Sequence, residues 1–156
     1  MIDVTIPGFG RLALSELVCD FNGTLGRDGR LLDDARRLLP AVAKIVNVRV
    51  VTGDTFGTAS DALRDCPCEL VLLAPHAQAE AKAALVERIG AERVVAIGNG
   101  RNDRLMLKAA ALAIGVLGDE GIARDALDAC DVVTRHIADA LELLLAPRRL
   151  VATLRD

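Results

Sequence analysis

Residues 17–25 read LVCDFNGTL, and this segment carries most of the information on fold class. Its apolar residues predict a buried strand that ends at Asp20, and Asn22 and Gly23 predict a turn directly after it. Open α/β sheets carry their reactive groups at the carboxyl ends of the strands, so the pattern places Asp20 at such a position. A carboxylate there can act as a nucleophile toward phosphorus. The same pattern is also typical of an aspartate that only ends a strand and forms a turn.

Two later segments have a similar pattern. Residues 48–54, VRVVTGD, form an apolar run that ends in a hydroxyl, a glycine and an acid. Residues 93–103, RVVAIGNGRND, form another, which ends in a glycine-rich polar turn. Stretches with helical periodicity separate these runs. Because strands alternate with helices, we predict an α/β fold with a doubly wound parallel sheet, right-handed crossovers and helices on both faces.

The same reasoning locates the other elements. A short N-terminal hairpin leads into a first core strand at residues 14–20, and residues 26–30 are a polar turn. Further strands are predicted at residues 47–52, 69–73, 94–97, 113–117 and 131–134, and helices at 31–46, 56–64, 76–89, 103–111, 122–129, 137–145 and 148–154. Pro40 is expected to kink or split the first helix. Because no linker or repeat interrupts the pattern, we predict one domain over residues 1–156.

Composition excludes several classes of function. Hydrophobic residues make up 52% of the chain, yet it has three Phe and no Trp or Tyr, so the core is aliphatic, as is common in parallel sheets. The net charge of −3 and the lack of aromatic stacking platforms argue against a nucleic-acid partner. No apolar stretch reaches the roughly 20 residues of a membrane span, and no signal-peptide pattern opens the chain. The four scattered cysteines favour a reducing, cytoplasmic setting.

Four polar residues occur along the chain in a specific order. Asp20 and Thr52 lie at the ends of two predicted strands, Lys82 lies on a helical stretch, and Asp103 follows a further strand. This order resembles the haloacid dehalogenase-like (HAD) phosphohydrolase superfamily. The segments TGD and GNGRND look most like the phosphorylation-domain motifs of P-type ATPases, here without membrane helices. The resemblance covers residues 12–117 and implies a HAD-like, Rossmann-type fold.

The resemblance also implies roles for individual residues. Asp20 would be the nucleophile, and Mg²⁺ would be the cofactor. The implied metal ligands are Asp20, the backbone carbonyl of Asn22, Asn99 through its amide oxygen, and Asp103. The implied phosphate ligands are Thr52, the N–H of Gly53, Lys82 and Asn102. Taken singly, these residues have ordinary alternatives: Thr52-Gly53 as a turn, Lys82 as a surface lysine, and Asn99 and Asp103 as helix caps.

Two residues depart from the family pattern. Most HAD phosphatases carry a second aspartate where this chain has Asn22, and that acid protonates the leaving group and activates water. General acid–base catalysis of this kind contributes about 10²–10⁴-fold, so turnover through Asp20 is expected to be slow. Asn99 replaces another aspartate, which should weaken Mg²⁺ binding. We therefore predict a slow Mg²⁺-dependent phosphohydrolase, with a weakly catalytic or non-catalytic module that binds a phosphorylated ligand or partner as the alternative.

Two further classes fit less well. Phosphoacceptor receiver domains carry an acidic pair at the first strand, whereas this chain has one acid there. Dinucleotide-binding folds require a G-x-G-x-x-G segment after the first strand, and none follows it here.

The spacing of the motifs leaves no room for a cap domain. Residues 25–47 hold only a turn and a helical segment, and residues 56–78 hold only a helix, a strand and a loop. An open site excludes water poorly. We therefore expect either a large substrate or neighbouring subunits to cover it, and we predict a homo-oligomer, for example a tetramer. The expected partner is a small phosphorylated metabolite or a phosphorylated macromolecule.

Overall fold

Six parallel strands form the central sheet in the computed structural model, which describes residues 1–54 and 57–156. The strands of the described residues are β1 Ile2–Ile6, β2 Gly10–Leu14, β3 Glu16–Asp20, β4 Gly26–Arg27, β5 Arg30–Leu31, β6 Asn47–Thr52, β7 Glu69–Leu72, β8 Val94–Gly98, β9 Leu112–Val116 and β10 Val132–Thr134, of which β1–β2 and β4–β5 form two separate hairpins. The central sheet has the order β10-β9-β8-β3-β6-β7, so β3 is an inner strand flanked by β8 and β6. The predicted parallel α/β sheet is confirmed.

Helices cover both faces of this sheet, as predicted. They are α1 Asp33–Val42, α2 Thr58–Leu63, α3 Gln78–Ile89, α4 Arg104–Ala109, α5 Arg124–Leu127, α6 Ile137–Leu145 and α7 Arg148–Leu154. One apolar cluster joins one face of the sheet to α1, α2, α6, α7 and the β1–β2 hairpin. A second cluster joins the other face to α3, α4 and α5. Since each strand lies between two packed layers, its residues form the continuous aliphatic runs seen in the sequence.

The alternation of side chains along β3 determines where Asp20 points. Leu17 and Cys19 belong to the first apolar cluster, whereas Val18 belongs to the second, together with residues of α3. Successive side chains of a strand point to opposite faces, so Asp20 lies on the same side as Val18. Asp20 is thereby directed toward α3, the helix that carries Lys82.

Some boundaries differ from the prediction. The first core strand begins at Glu16 rather than at residue 14, because Leu14 is the last residue of the hairpin strand β2. The polar turn predicted at residues 26–30 is part of a small hairpin, in which the two-residue strands β4 and β5 pair with each other and β5 ends one residue later, at Leu31.

The first helix is also shorter than predicted. Pro40 lies inside α1 without splitting it, so the predicted split is wrong, and the kink stays a prediction. The helix ends at Val42 rather than at residue 46, and the backbone N–H of Val46 still donates to the carbonyl of Val42. Proline removes one hydrogen bond from a helix interior, and α1 continues for only two residues past Pro40.

The connections between strands are short. Between β3 and β6 lie only β4, β5 and α1, and the described part of the β6–β7 connection contains only α2. Within the described residues, neither connection holds a lid domain, in agreement with the prediction. The predicted helix over residues 56–64 begins at Phe56, which lies outside the described residues. Among the described helices, none has the length and hydropathy needed to span a membrane.

Candidate active site

The carboxyl ends of three adjacent strands bring the predicted site residues to one edge of the sheet. Asp20 ends β3, Thr52 ends the neighbouring strand β6, and Asn99 follows β8 on the other side. All three residues are buried. The loop after β8 turns back through Arg101–Asp103, which places Asp103 beside Asp20. Residues that are far apart in the sequence therefore meet where parallel sheets carry their functional groups.

Lys82 is the centre of this cluster. Its side chain has no solvent exposure, and its Nζ lies 2.6 Å from Asp20 Oδ1 and 2.6 Å from Asp103 Oδ1. The interpretation of Lys82 as a surface lysine is therefore wrong. A fully buried lysine is rare unless it is paired, and here two carboxylates balance its charge.

The charges of the cluster shift the pKa values of its members. Burial, and then the negative charge of Asp103, raise the pKa of Asp20 to about 7, although Lys82 opposes this shift. Burial alone would lower the pKa of Lys82, but the two carboxylates outweigh it and raise that pKa above its usual value. The lysine is thus held in its charged form, while two acids share one cation.

Asp103 is held in place by its own turn. Its Oδ2 accepts hydrogen bonds from the backbone N–H groups of Asn99, at 3.0 Å, and of Gly100, at 2.8 Å. A Cβ on Gly98 would lie only 2.6 Å from Cγ of Asp103, so the carboxylate packs directly against the glycine backbone. The glycines predicted as part of a polar turn therefore make room for the aspartate at its end.

Thr24 joins the loop after β3 to the loop after β8. Its hydroxyl donates to Asn99 Oδ1 at 3.1 Å and lies 3.5 Å from Asp20 Oδ2. The amide nitrogen of Asn99 donates in turn to the carbonyl of Gly121 at 2.9 Å. An aspartate at this position could not donate that second bond. The replacement at Asn99 thus serves a contact that a carboxylate would lose.

Gln78, like Thr24, is a residue of the site that the sequence analysis missed. The amide nitrogen of Asn102 donates to Gln78 Oε1 at 3.0 Å, and the Gln78 amide packs on Gly53. Gln78 lies four residues before Lys82 on α3, so both side chains share one helix face. That spacing is the signal by which the sequence could have indicated Gln78. Thr24 had a comparable signal, since it follows Asp20 in the same turn.

The side chain of Asn22 takes no part in these contacts. Asn22 is exposed, and its backbone forms an isolated bridge with Gly26 at the start of β4. The loop is closed by hydrogen bonds from the N–H of Gly26 to the carbonyl of Phe21 and from the N–H of Gly23 to the carbonyl of Gly26, both 2.8 Å long. The amide at position 22 therefore faces solvent.

The donor set of the cluster suits a hard cation that needs few protein ligands. Among the described residues, no group of three or more His, Cys, Asp or Glu side chains is arranged to hold a metal. The carboxylates of Asp20 and Asp103 both contact Lys82. The amide oxygen of Asn99 is linked to Asp20 through the hydroxyl of Thr24. Mg²⁺ is commonly bound through one or two carboxylates, with water and substrate phosphate completing its shell. The oxygen donors present are therefore compatible with Mg²⁺.

Replacing Lys82 with methionine should destabilise the fold. Methionine fills a similar volume but leaves two buried carboxylates facing each other, and breaking a buried ion pair costs about 3–5 kcal/mol. We expect a loss of this size in the free energy of unfolding, measured by urea denaturation at pH 7. The exposed Lys108 of α4 provides the control, since Lys108→Met should change the stability little. Equal stabilities of the two variants would contradict the structural importance of Lys82.

Comparison with known sequences identifies a relative of this chain. No protein-family model matches the chain. It is 46% identical over 80 residues to the uncharacterized protein MJ0073 of Methanocaldococcus jannaschii, an alignment that spans 49% of this chain and 86% of that protein.

Solved structures with a similar fold include phosphatases. The 3-deoxy-D-manno-octulosonate 8-phosphate (KDO 8-phosphate) phosphatase of Moraxella catarrhalis, crystallised with magnesium, phosphate and KDO, has a TM-score of 0.72 at 14% identity, over 92% of this chain and 94% of that one. The cobalt-bound phosphatase YrbI of Haemophilus influenzae has a TM-score of 0.72 at 15% identity, over 88% and 90% of the two chains. The HAD-like fold implied by the resemblance is confirmed.

Proposed function

We propose that this chain, which belongs to the family of the archaeal protein MJ0073 and has the HAD-like fold, is a slow Mg²⁺-dependent phosphohydrolase. The observation that carries the proposal is the buried cluster of Asp20, Lys82 and Asp103 at the carboxyl edge of the sheet. A cluster of one cation and two acids is costly to bury, and it occupies the position where open α/β sheets bind their ligands. Two of the structural neighbours are named as phosphatases, which supports the same reaction class.

Asp20 is the proposed nucleophile. Its Oδ1 accepts a hydrogen bond from Lys82, and its Oδ2 lies 3.5 Å from the hydroxyl of Thr24. This second oxygen forms a bond to phosphorus while the bond between phosphorus and the leaving oxygen breaks, and the leaving oxygen takes a proton from water. Water then attacks the aspartyl-phosphate, releases inorganic phosphate and restores the carboxylate of Asp20.

Positive and neutral donors surround the proposed phosphate position. Lys82 offsets part of the repulsion between the carboxylate and the phosphoryl group. Thr52, the backbone N–H of Gly53 and the side chain of Asn102 are the proposed phosphate ligands. The positions of these residues support the assignment, because Thr52 ends the strand beside β3 and Asn102 lies one residue before Asp103.

The oxygen donors described above are the proposed Mg²⁺ ligands. They are the carboxylates of Asp20 and Asp103, the amide oxygen of Asn99 and the backbone carbonyl of Asn22. Mg²⁺ held by these groups would supply positive charge that offsets the repulsion between the carboxylate of Asp20 and the phosphate. Magnesium is present in one of the neighbouring phosphatase structures.

A phosphate-binding module without turnover is the second candidate function. Two observations favour it. Asn22 supplies an exposed amide where an acid would be needed, and the side chain of Asn99 is committed to Thr24 and Gly121. Such a module would hold a phosphorylated ligand or partner and would leave it intact.

The absence of a lid in the described residues bears on the substrate. We propose that the substrate is a phosphorylated small metabolite, or a phosphorylated macromolecule large enough to cover the site.

We also propose that neighbouring copies of the chain cover the site in a homo-oligomer such as a tetramer. The proposed location of the protein is the cytoplasm. Size-exclusion chromatography with light scattering tests the oligomer, since a monomer at micromolar concentration would contradict it. The likeness of the motifs at Thr52 and Asn102 to the P-type ATPase phosphorylation domain stays a prediction.

Two measurements on the purified protein test the proposed function. The first is turnover of p-nitrophenyl phosphate and of a panel of phosphorylated metabolites, with Mg²⁺ and with EDTA. The second is binding of beryllium fluoride, an analogue of a phosphoryl group on a carboxylate, followed by fluorine NMR. We expect slow, Mg²⁺-dependent turnover and a bound fluoride signal. Beryllium fluoride binding without turnover would favour the binding module, and the absence of both would refute a phosphoryl site at Asp20.

A further inference from the structure

We propose that Gln78 is a further phosphate-binding residue, whose side-chain amide N–H donates a hydrogen bond to a phosphoryl oxygen. This inference rests on the proposed function, because it assigns a ligand to the same phosphate position.

The position of Gln78 on its helix supports this role. Gln78 is the first residue of α3, and Lys82 follows four residues later on the same helix face. Ala77, directly before it, has φ 53° and ψ 36°, a left-handed conformation that is costly for a residue with a Cβ. Such strained positions persist where the surrounding structure holds them, and they concentrate at ligand-binding sites. The helix thus begins in a strained geometry that directs Gln78 to the cluster.

The contact with Gly53 brings the Gln78 amide to the proposed phosphate position. A Cβ on Gly53 would lie 2.0 Å from Gln78 Nε2 and 2.7 Å from Gln78 Cδ. The amide therefore lies directly over the Cα of Gly53, on the side where any other residue would carry its side chain. Because the N–H of Gly53 is a proposed phosphate ligand, Nε2 of Gln78 lies beside that ligand.

Hydrogen bonding leaves the nitrogen of this amide available. Gln78 Oε1 accepts from Asn102, which fixes the orientation of the amide group. Within the described residues, Nε2 donates no hydrogen bond of its own. By contrast, Lys82 already donates to two carboxylates, so it has one N–H left for a ligand. A phosphoryl group presents three oxygens, and the free N–H groups of Gln78 add neutral donors for them.

Two substitutions separate a phosphate ligand from a residue that only positions Asn102. Gln78→Glu keeps an oxygen acceptor for Asn102, removes the N–H donors and adds a negative charge. Gln78→Met removes both the acceptor and the donors. A phosphate ligand predicts that both variants lose affinity, with Gln78→Glu the weaker binder. A purely positioning residue predicts that Gln78→Glu binds phosphate like the unmodified protein and that only Gln78→Met is impaired.

The experiment is titration calorimetry of inorganic phosphate into the full chain with saturating Mg²⁺. We expect Gln78→Met to weaken phosphate binding about 10-fold, the loss of one hydrogen bond to a charged group, and Gln78→Glu to weaken it more. Glu87→Gln, at an exposed position on the far part of α3, should bind like the unmodified chain. Melting temperatures without phosphate establish that each variant is folded. If Gln78→Glu does not fold, Gln78→Met is compared in an Asn102→Ala background, where a phosphate ligand predicts a further loss of affinity and a residue that only positions Asn102 predicts none.

The outcomes distinguish this inference from the proposed function. If the unmodified protein binds phosphate and Gln78→Glu binds it equally well, Gln78 is not a phosphate ligand, and the proposed function stands. If the unmodified protein binds no phosphate, the proposed function fails and this inference fails with it. For p-nitrophenyl phosphate, the KM of Gln78→Met should rise more than its kcat falls, since Gln78 binds phosphate without reacting with it.

Discussion

Replacing Asp20 with asparagine should reduce phosphatase turnover by about 10³-fold or more, because removal of a catalytic nucleophile usually abolishes the covalent route. Asparagine has the same shape, and its amide oxygen can still accept from Lys82, which retains Asp103 as its charged partner. The fold should therefore survive. The measurement is the rate of p-nitrophenyl phosphate hydrolysis with Mg²⁺, together with fluorine NMR of beryllium fluoride, whose bound signal should disappear.

A matched control exists on α2. Asp61 is exposed and pairs with the exposed Arg64 one turn later, so Asp61→Asn should leave the rate and the bound signal unchanged. If Asp20→Asn keeps most of the turnover while Asp61→Asn behaves as expected, Asp20 is not the nucleophile. Circular dichroism of both variants would verify that the comparison concerns chemistry and not unfolding.

Asn22→Asp should have the opposite effect and raise the turnover rate by about 10-fold or more, toward the 10²–10⁴-fold that general acid–base catalysis contributes. A carboxyl group at this position could protonate the leaving oxygen and then take a proton from the attacking water. The exposed side chain of Asn22 means that the substitution disturbs no packing. The rate is measured with p-nitrophenyl phosphate and the metabolite panel, each with Mg²⁺.

Asn22→Ser is the companion control, because serine is polar and small but cannot act as an acid near neutral pH. It should remain as slow as the unmodified chain. If Asn22→Asp is no faster than Asn22→Ser, the loop is not arranged for hydrolysis, and the phosphate-binding module becomes the better description. A rate increase in Asn22→Asp alone would identify the missing acid as the cause of slow turnover.

The fold was predictable because its signals are periodic and strong. Aliphatic runs such as residues 94–97 alternate with helical stretches, and the strands and helices observed in the structure follow that alternation. The order of Asp20, Thr52, Lys82 and Asp103 also predicted which residues would gather at one edge of the sheet. The structure brings Asp20, Lys82 and Asp103 into contact, and their chemical roles remain predictions.

Other contacts of the site could not be predicted, because they join loops without any periodic pattern. The bond from Asn99 to the carbonyl of Gly121 depends on the path of the loop after β9, which carries no motif. The packing of Gln78 on Gly53 depends on the left-handed residue that begins α3. In the same way, the end of α1 two residues after Pro40 reflects local hydrogen bonding that propensity alone does not determine.

The alternation of β3 links the stability of the protein to its chemistry. A shift of one residue in the pairing of β3 with its neighbours would turn Asp20 away from Lys82 and bring Cys19 to that side. The same shift would move Val18 out of its apolar cluster, and burying one such side chain contributes about 1.5–3 kcal/mol. Aliphatic packing therefore keeps the side chain of Asp20 directed at Lys82. Exposed loop positions such as residue 22 can change without altering that direction.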